Sequence, residues 1–169
     1  MRLYREGLVK NDPWIELGDT DEVPASGALI LSLDRWKAER TELKQRDGQL
    51  GIRIDPDEAV EEIRDDLDRL SLIVVTFPKF ADGRGFSTAR LLREKFGFDG
   101  EIRAMGEVLS DQIPFMRRCG FDSFGVCDGP TQRLLESDAL FTMPGFYQPA
   151  LERSTADTPL RPWRRARVG

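Results

Sequence analysis

Between residues 28 and 141 the sequence alternates short apolar runs with longer amphipathic stretches, joined by turns that contain Gly or Pro. Apolar runs of about four to eight residues are typical of strands, and stretches with a 3.6-residue apolar period are typical of helices. The predicted strands are Ala28–Leu33, Leu50–Ile54, Leu72–Thr76, Glu101–Met105 and Asp122–Val126. Strands that alternate with helices indicate an α/β domain whose parallel strands are joined by right-handed crossovers.

The third of these strands, Leu72–Thr76, is largely apolar, as expected when both faces of a parallel sheet are covered. We therefore predict a five-stranded parallel sheet with flanking helices, arranged as a flavodoxin-like open sandwich. The alternative is a partial (β/α) barrel, because strands followed by glycine-ended helices are also common in barrels. A complete eight-unit barrel needs roughly 200 to 250 residues, more than the 169 residues of this chain.

Capping residues predict where the helices begin and end. Asp34 is placed to cap the helix after the first strand, and Ser110 or Asp111 the helix after the fourth. Gly97 follows the helix after the third strand, at a position where a C-terminal cap favours glycine. The helix after the second strand, residues 57 to 70, carries many acidic side chains, which we interpret as a solvated face.

The chain is predicted to have three parts. Residues 1–27 form an N-terminal hairpin and linker, in which Lys10–Pro13 is the turn, and residues 28–141 form the α/β domain. Residues 142–169 form an extended, Pro-rich and basic tail. The tail is interpreted either as a disordered terminus or as a strap that docks on a second subunit or a partner, and a homodimer is expected.

Charge and apolar content narrow the biological setting. The net charge of −5 and a pI near 5.0 give no basic field, so no nucleic-acid partner is expected. No apolar run approaches the roughly 18 residues of a membrane span, and none follows the charged N-terminus as a secretory signal requires. We therefore expect a cytoplasmic protein with no membrane partner.

The chain contains no histidine, which removes the Ser-His and Cys-His nucleophile pairs and the commonest metal ligand. Its two cysteines, Cys119 and Cys127, cannot complete a four-ligand zinc site, so no metal and no cofactor are expected. Cys119 is predicted to pack on an apolar helical stripe, and Cys127 is the better candidate for a reactive thiol. Acid–base chemistry would fall to side chains such as carboxylates, and anion binding to arginine, lysine and backbone amides.

Ligands of parallel α/β folds bind beyond the carboxyl ends of the strands, where we expect the loops 77–86, 106–111 and 127–130 to meet. The first loop contains two glycines, which permit positive φ and close approach to a ligand, and a helix predicted to begin at Ser87 or Thr88 favours an anion. The candidate ligand-binding residues are Lys79, Asp82, Gly83, Arg84, Gly85, Ser87, Arg103, Glu107 and Asp111.

Two interpretations of the first loop are open. In one, Lys79 and Arg84, joined by Arg103, form a cradle for a small oxyanion or an acidic patch on a partner. In the other, Asp82 and Arg84 pair with each other or with backbone in a tight turn. Asp82 and Glu107 are the candidate catalytic carboxylates.

The block from Phe77 to Val126 carries a family resemblance. Its runs Phe-Pro-Lys-Phe-Ala-Asp-Gly-Arg-Gly-Phe-Ser, Gly-Glu-Ile-Arg-Ala-Met-Gly-Glu-Val-Leu-Ser-Asp-Gln and Phe-Met-Arg-Arg-Cys-Gly-Phe-Asp-Ser-Phe closely resemble a proteobacterial family, domain of unknown function 934. Members are labelled as predicted oxidoreductase-related proteins of sulfite reduction. Their genes commonly lie beside those for the sulfite reductase hemoprotein and for adenylylsulfate or phosphoadenylylsulfate reductase.

The resemblance implies an accessory protein of assimilatory sulfite reduction, with the sulfite reductase hemoprotein as partner. Its Arg/Gly loop would bind an oxyanion or an acidic patch of that partner. One alternative is a small enzyme that acts on an anionic sulfur or phosphate metabolite by carboxylate acid–base chemistry. Another is a structural dimer, and whether the chain is an enzyme is left open.

Overall fold

The computed structural model describes residues 2–5, 8–9, 12–126 and 129–136. The strands are β1 (Arg2–Tyr4), β2 (Leu8–Val9), β3 (Trp14–Glu16), β4 (Ala28–Ser32), β5 (Leu50–Ile54), β6 (Leu72–Phe77), β7 (Glu101–Gly106) and β8 (Ser123–Val126). The helices are α1 (Leu33–Leu43), a 3₁₀ helix (Val60–Arg69), α2 (Arg84–Arg90) continuing as a π-helical turn (Leu91–Lys95), α3 (Ile113–Arg118) and α4 (Gly129–Glu136). The five predicted strands are confirmed as β4 to β8. The predicted tail (142–169) lies outside the described residues.

All the strands of the described residues belong to one sheet, in the order β2-β1-β8-β7-β6-β5-β4-β3. Strands β3 to β8 are parallel to one another and stand in chain order. Strand β1 runs antiparallel to both of its neighbours, β8 and β2. Because every strand is added on the same side of the previous one, right-handed crossovers bring their helices to one face of the sheet. The result is a curled half-barrel of seven strands, β1 and β3 to β8, and the two-residue β2 lies beside β1 as an eighth strand at one edge.

The predicted five-stranded, flavodoxin-like sandwich is therefore wrong, since β3 adds a sixth parallel strand, and the alternative of a partial (β/α) barrel fits. A flavodoxin-like sheet reverses its strand order at a switch point and carries helices on both faces. Here the order from β3 to β8 does not reverse. We predicted helices on both faces of the sheet because the strand Leu72–Thr76 is apolar. Both faces of this strand are indeed buried, but helices cover only one of them.

Alternate residues of the strands enter two apolar layers. The outer face packs beneath the helices and forms the main core, which includes Ile52, Ile73 and Phe124. On the inner, concave face Ile30, Leu72 and Val74 form a second cluster, covered in part by Trp14 and Met105. In an open sandwich, helices would cover these inner-face residues. Here the curl of the sheet buries them instead.

The predicted N-terminal hairpin across the turn Lys10–Pro13 is wrong, because the strands before and after this turn do not pair with each other. β1 pairs with β2 and β8, whereas β3 pairs in parallel with β4 at the opposite edge of the sheet. The indole of Trp14 lies over Gly51 on the inner face, 3.2 Å from the position of a β-carbon there. Lys10 and Asn11 of the predicted turn lie outside the described residues.

The helix ends agree only in part with the predicted caps. The cap of α1 is Ser32 rather than Asp34, since its Oγ accepts a backbone N–H of the first turn at 3.2 Å. Gly97 has a φ of +67°, which confirms its position after the helix that ends there. The predicted cap at Ser110 or Asp111 is wrong, because α3 begins at Ile113 and no side chain caps it. No helix of the described ranges is long and apolar enough to cross a membrane.

Candidate functional site

The β6–α2 loop, residues 78–83, leaves the carboxyl end of β6 from a rigid base. Phe77, the last residue of β6, is fully buried. Its ring packs against Phe86 at 5.4 Å and against Phe121 at 5.8 Å between centroids. These aromatic contacts, edge-to-face with Phe86 and tilted with Phe121, hold the end of β6 against the core.

The two glycines of the segment do not behave as predicted. Gly83 has a φ of −78° and Gly85 lies in the first turn of α2, so neither adopts positive φ. A β-carbon on Gly85 would lie 2.6 Å from Cζ of Phe77, so this glycine permits the close packing of α2 on β6. The helix begins at Arg84, three residues before the predicted start at Ser87.

Asp82 and Arg84 form a fork-shaped ion pair at the end of the loop. Nε of Arg84 donates to Oδ1 of Asp82 at 3.0 Å, and Nη2 donates to Oδ2 at 2.7 Å. The backbone N–H of Arg84 also donates to Oδ1, at 3.1 Å. These bonds lower the pKa of Asp82 to about 2. Asp82 therefore stays ionised near neutral pH and compensates the charge of Arg84, which remains 60% exposed.

The loop is fastened to the neighbouring segment 106–112. Oε2 of Glu107 accepts the backbone N–H of Phe80 at 3.0 Å, and Nε2 of Gln112 donates to the carbonyl of Phe80 at 3.0 Å. The backbone N–H of Glu107 in turn donates to the carbonyl of Phe77 at 2.8 Å. Gly106 makes this approach possible with a φ of +108°, since a β-carbon there would lie 2.3 Å from the same carbonyl. Glu107, a candidate acid or base, is thus a loop anchor in this structure.

Two aromatic side chains at this edge are unusually exposed. Phe80 is 52% exposed at the tip of the loop, and Phe115 is 40% exposed on α3, one turn after Gln112. The ring of Phe115 lies 5.1 Å from that of Phe86, and the guanidinium of Arg118 lies 5.4 Å from it. We call Phe80 and Phe115 the aromatic patch; aromatic and arginine side chains of this kind are enriched in protein interfaces.

The remaining candidate residues lie around the loop or apart from it. Lys79 is exposed beside Phe80, and Asp111 is exposed in the same connecting segment as Glu107. Arg103 does not join them. It is the third residue of β7 and pairs in register with Val74, about 10 Å along the strand from the loop.

Arg103 is 2% exposed on the inner face and belongs to a separate charge network. Its Nη1 donates to Oδ2 of Asp12 at 2.7 Å, and its Nη2 donates to Oε1 of Glu101 at 3.0 Å. The hydroxyl of Ser123 donates to the same Glu101 oxygen at 2.6 Å, and Arg5 binds the other at 3.1 Å. This network borders a cavity of about 310 Å³ at the amino ends of the strands. Its buried charges are already paired, so Arg103 is not a free donor for the loop.

Sequence reasoning missed a polar cluster on the inner face at the carboxyl ends of β5 and β6. The hydroxyl of Thr76 donates to Oδ1 of Asp55 at 2.6 Å, and Arg53 pairs with Glu16 of β3. Burial and the nearby carboxylate of Asp55 raise the pKa of Glu58, which accepts the backbone N–H of Asp55. The signal was available, because Asp55 directly follows the predicted strand Leu50–Ile54 and Thr76 is the last residue of the predicted strand Leu72–Thr76. It was overlooked because an open sandwich expects helices over this face.

The described residues contain no group of three or more Asp, Glu or Cys side chains arranged to hold a metal ion. Cys119 is buried in the core, and burial raises the pKa of its thiol. Cys127, the candidate reactive thiol, and Asp128 of the third predicted loop lie outside the described residues.

Fold and site together define an α/β half-barrel protein with an exposed, internally hydrogen-bonded loop at the carboxyl edge of its sheet. The chain belongs to a family of bacterial proteins of unknown function (DUF934), whose family model matches residues 51–157. The matched range includes β5 apart from its first residue, Leu50, all of β6 to β8, and the entire β6–α2 loop. No curated protein and no solved structure matches the chain.

Proposed function

We propose that this chain is a binding or coupling protein of assimilatory sulfite reduction, and that it presents the β6–α2 loop to a partner protein. The observation that carries the proposal is the exposed side chain of Phe80 on a backbone fixed from both sides. Its N–H and its carbonyl are bound by Glu107 and Gln112. A loop held in this way loses little further conformational entropy when it binds.

The charges of the loop favour a protein partner over a small oxyanion. The guanidinium of Arg84 already binds Asp82 in a fork, so an oxyanion would have to displace a carboxylate that is ionised at neutral pH. A protein surface instead gains from the apolar area of the aromatic patch, and buried aromatic anchors dominate the binding energy of many interfaces. The exposed Asp82–Arg84 pair then lies at the polar rim of the contact.

The setting and the partner come from the sequence resemblance. Its family is the one matched by residues 51–157, and the resemblance suggests the sulfite reductase hemoprotein as the partner, in the cytoplasm. A homodimer remains a prediction.

The proposal is tested by measuring the affinity of the purified chain for the sulfite reductase hemoprotein from the same genome. We expect Phe80→Ser to raise the dissociation constant at least about tenfold, as for a hot-spot side chain. Ile15→Ser removes an equally exposed apolar side chain at the far edge of the sheet and should leave the affinity unchanged. Absence of binding by the unmodified chain would refute the partner, and equal effects of the two substitutions would refute the surface.

A small enzyme acting on an anionic metabolite is the second candidate function. The inner-face cluster favours it, because Arg53, Asp55 and Thr76 lie at the carboxyl ends of parallel strands, where (β/α) folds bind ligands. In this case Arg53 would exchange its ion pair with Glu16 for the anion, and a carboxylate of the cluster would act as the acid or base. Asp82 is less suited to that role than in the sequence-based hypothesis, since its pKa is about 2.

A further inference from the structure

A groove on the outer surface lies between the 3₁₀ helix and the turn that follows α2. We call it the acidic groove; its volume is about 570 Å³. Its apolar lining includes Leu67, Phe96 and Phe98, and the carboxylates of Asp65 and Asp68 stand beside it on the exposed side of the helix. The volume is too large for a single ion and is in the range of pockets that hold several side chains or a small molecule.

The groove has the chemistry to bind guanidinium groups. The guanidinium of Arg64 already lies over the ring of Phe96, 5.5 Å from its centroid, in a cation–π contact. The exposed carboxylates of Asp65 and Asp68 are three residues apart on the same helix and therefore lie close together. Aromatic rings next to carboxylates favour a ligand that combines arginine side chains with a flat apolar group.

We propose that the acidic groove is the docking site for the segment Arg161–Arg167 of the same chain. This segment reads Arg-Pro-Trp-Arg-Arg-Ala-Arg and holds four arginines, one tryptophan and no acidic residue. It lies outside the described residues. Its indole suits the apolar lining of the groove, and its arginines suit Asp65 and Asp68.

The connection between the two is long enough for docking within one chain. Residues 137–160 separate the last described residue, Glu136, from the arginine segment. An extended chain of this length spans roughly 80 Å, about twice the roughly 36 Å diameter expected for a compact domain of this size. A tether of this kind also raises the local concentration of the segment to roughly the millimolar range, which favours docking within the chain over docking between chains.

Ion pairs at an exposed groove are individually weak and are screened by salt. The docked segment is therefore expected to exchange between bound and free states and to be released at high ionic strength. While bound, it covers acidic and apolar surface of the helix at residues 60–69. This interaction is separate from the β6–α2 loop and does not depend on the function proposed for it.

The test is photo-crosslinking in the full-length chain, with Ala166→p-benzoyl-phenylalanine as the probe, followed by mass spectrometry of the peptides. At about 50 mM NaCl we expect crosslinks within single chains to residues 64–70 and 96–100. Their yield should fall at least about fivefold at roughly 0.5 M NaCl. The double substitution Asp65→Asn/Asp68→Asn should lower the yield by a similar factor.

The matched control is Glu22→Gln/Asp47→Asn, which removes the same charge from exposed residues outside the groove and should leave the yield within about twofold. Arg164→Gln/Arg165→Gln in the segment should lower the yield without any change to the folded domain. Crosslinks that map elsewhere, that join two chains, or that respond equally to the groove and control substitutions would overturn the proposal.

Discussion

Replacing Gly85 by alanine adds a methyl group where α2 packs on β6. The new β-carbon would lie 2.6 Å from Cζ and 2.9 Å from Cε1 of Phe77, and 3.1 Å from Cγ1 of Val75. The ring of Phe77 cannot retreat easily, because it is fully buried between Phe86 and Phe121. Overpacking of this kind costs about 1–3 kcal/mol, and the higher helix propensity of alanine offsets at most about 1 kcal/mol.

We therefore expect Gly85→Ala to lower the free energy of unfolding by about 1–2 kcal/mol. Gly83→Ala is the control, since its β-carbon meets no atom within 4 Å and its φ is −78°; it should change stability by less than about 0.5 kcal/mol. Urea denaturation followed by circular dichroism measures both, with an unchanged slope indicating a comparable unfolded state. A Gly85→Ala protein as stable as the Gly83→Ala protein would refute the packing role and reopen a ligand-binding role for this glycine.

Two further predictions concern charged side chains. Arg103→Met should lower the free energy of unfolding by about 3 kcal/mol or more, because it leaves the carboxylate of Glu101 buried without its main ion-pair partner. Arg5→Met, at the exposed end of the same network, should lower it by less than about 1 kcal/mol. Equal losses in chemical denaturation would argue against a buried network. Asp82 should titrate near pH 2 by NMR and move toward its ordinary 3.8 in Arg84→Gln. Because its pKa is lowered by folding, the pair contributes stability above about pH 4 that is lost as the pH falls through about 2, and a wild-type midpoint near 3.8 would contradict the fork-shaped pair.

The strands could be predicted from sequence because each is a local apolar run. Their arrangement could not be predicted, because the curl depends on contacts between distant residues. Trp14, for example, reaches the inner face over Gly51 from an edge strand that local pattern assigned to a hairpin. The continuous apolar strand Leu72–Thr76 is equally compatible with a sandwich and with a half-barrel, since both bury its two faces.

The candidate site could be located from the rule that ligands bind at the carboxyl ends of parallel strands, but its chemistry could not be predicted. Arg103 looked available because its partner Asp12 is 91 residues away in the sequence. Gly85 looked like a ligand-approach glycine because the contact with Phe77 depends on how α2 packs. The pairing of Asp82 with Arg84 was predictable as one of two hypotheses, since two residues in one turn determine it.

The exposure of Phe80 had no sequence signal, because a phenylalanine among loop residues is as compatible with burial as with exposure. What exposes it is the pair of hydrogen bonds from Glu107 and Gln112, which hold the backbone of Phe80 at the sheet edge. These two side chains come from the next strand–helix connection, and only the fold brings them to the loop.

The most direct test of the proposed function is an NMR titration of the isotope-labelled chain with the unlabelled sulfite reductase hemoprotein. We expect the amide signals of residues 78–84 and 112–116 to broaden or shift first, around the aromatic patch of Phe80 and Phe115. Perturbations confined to Arg53, Asp55 and Thr76 on the inner face, or no perturbation at saturating hemoprotein, would contradict it.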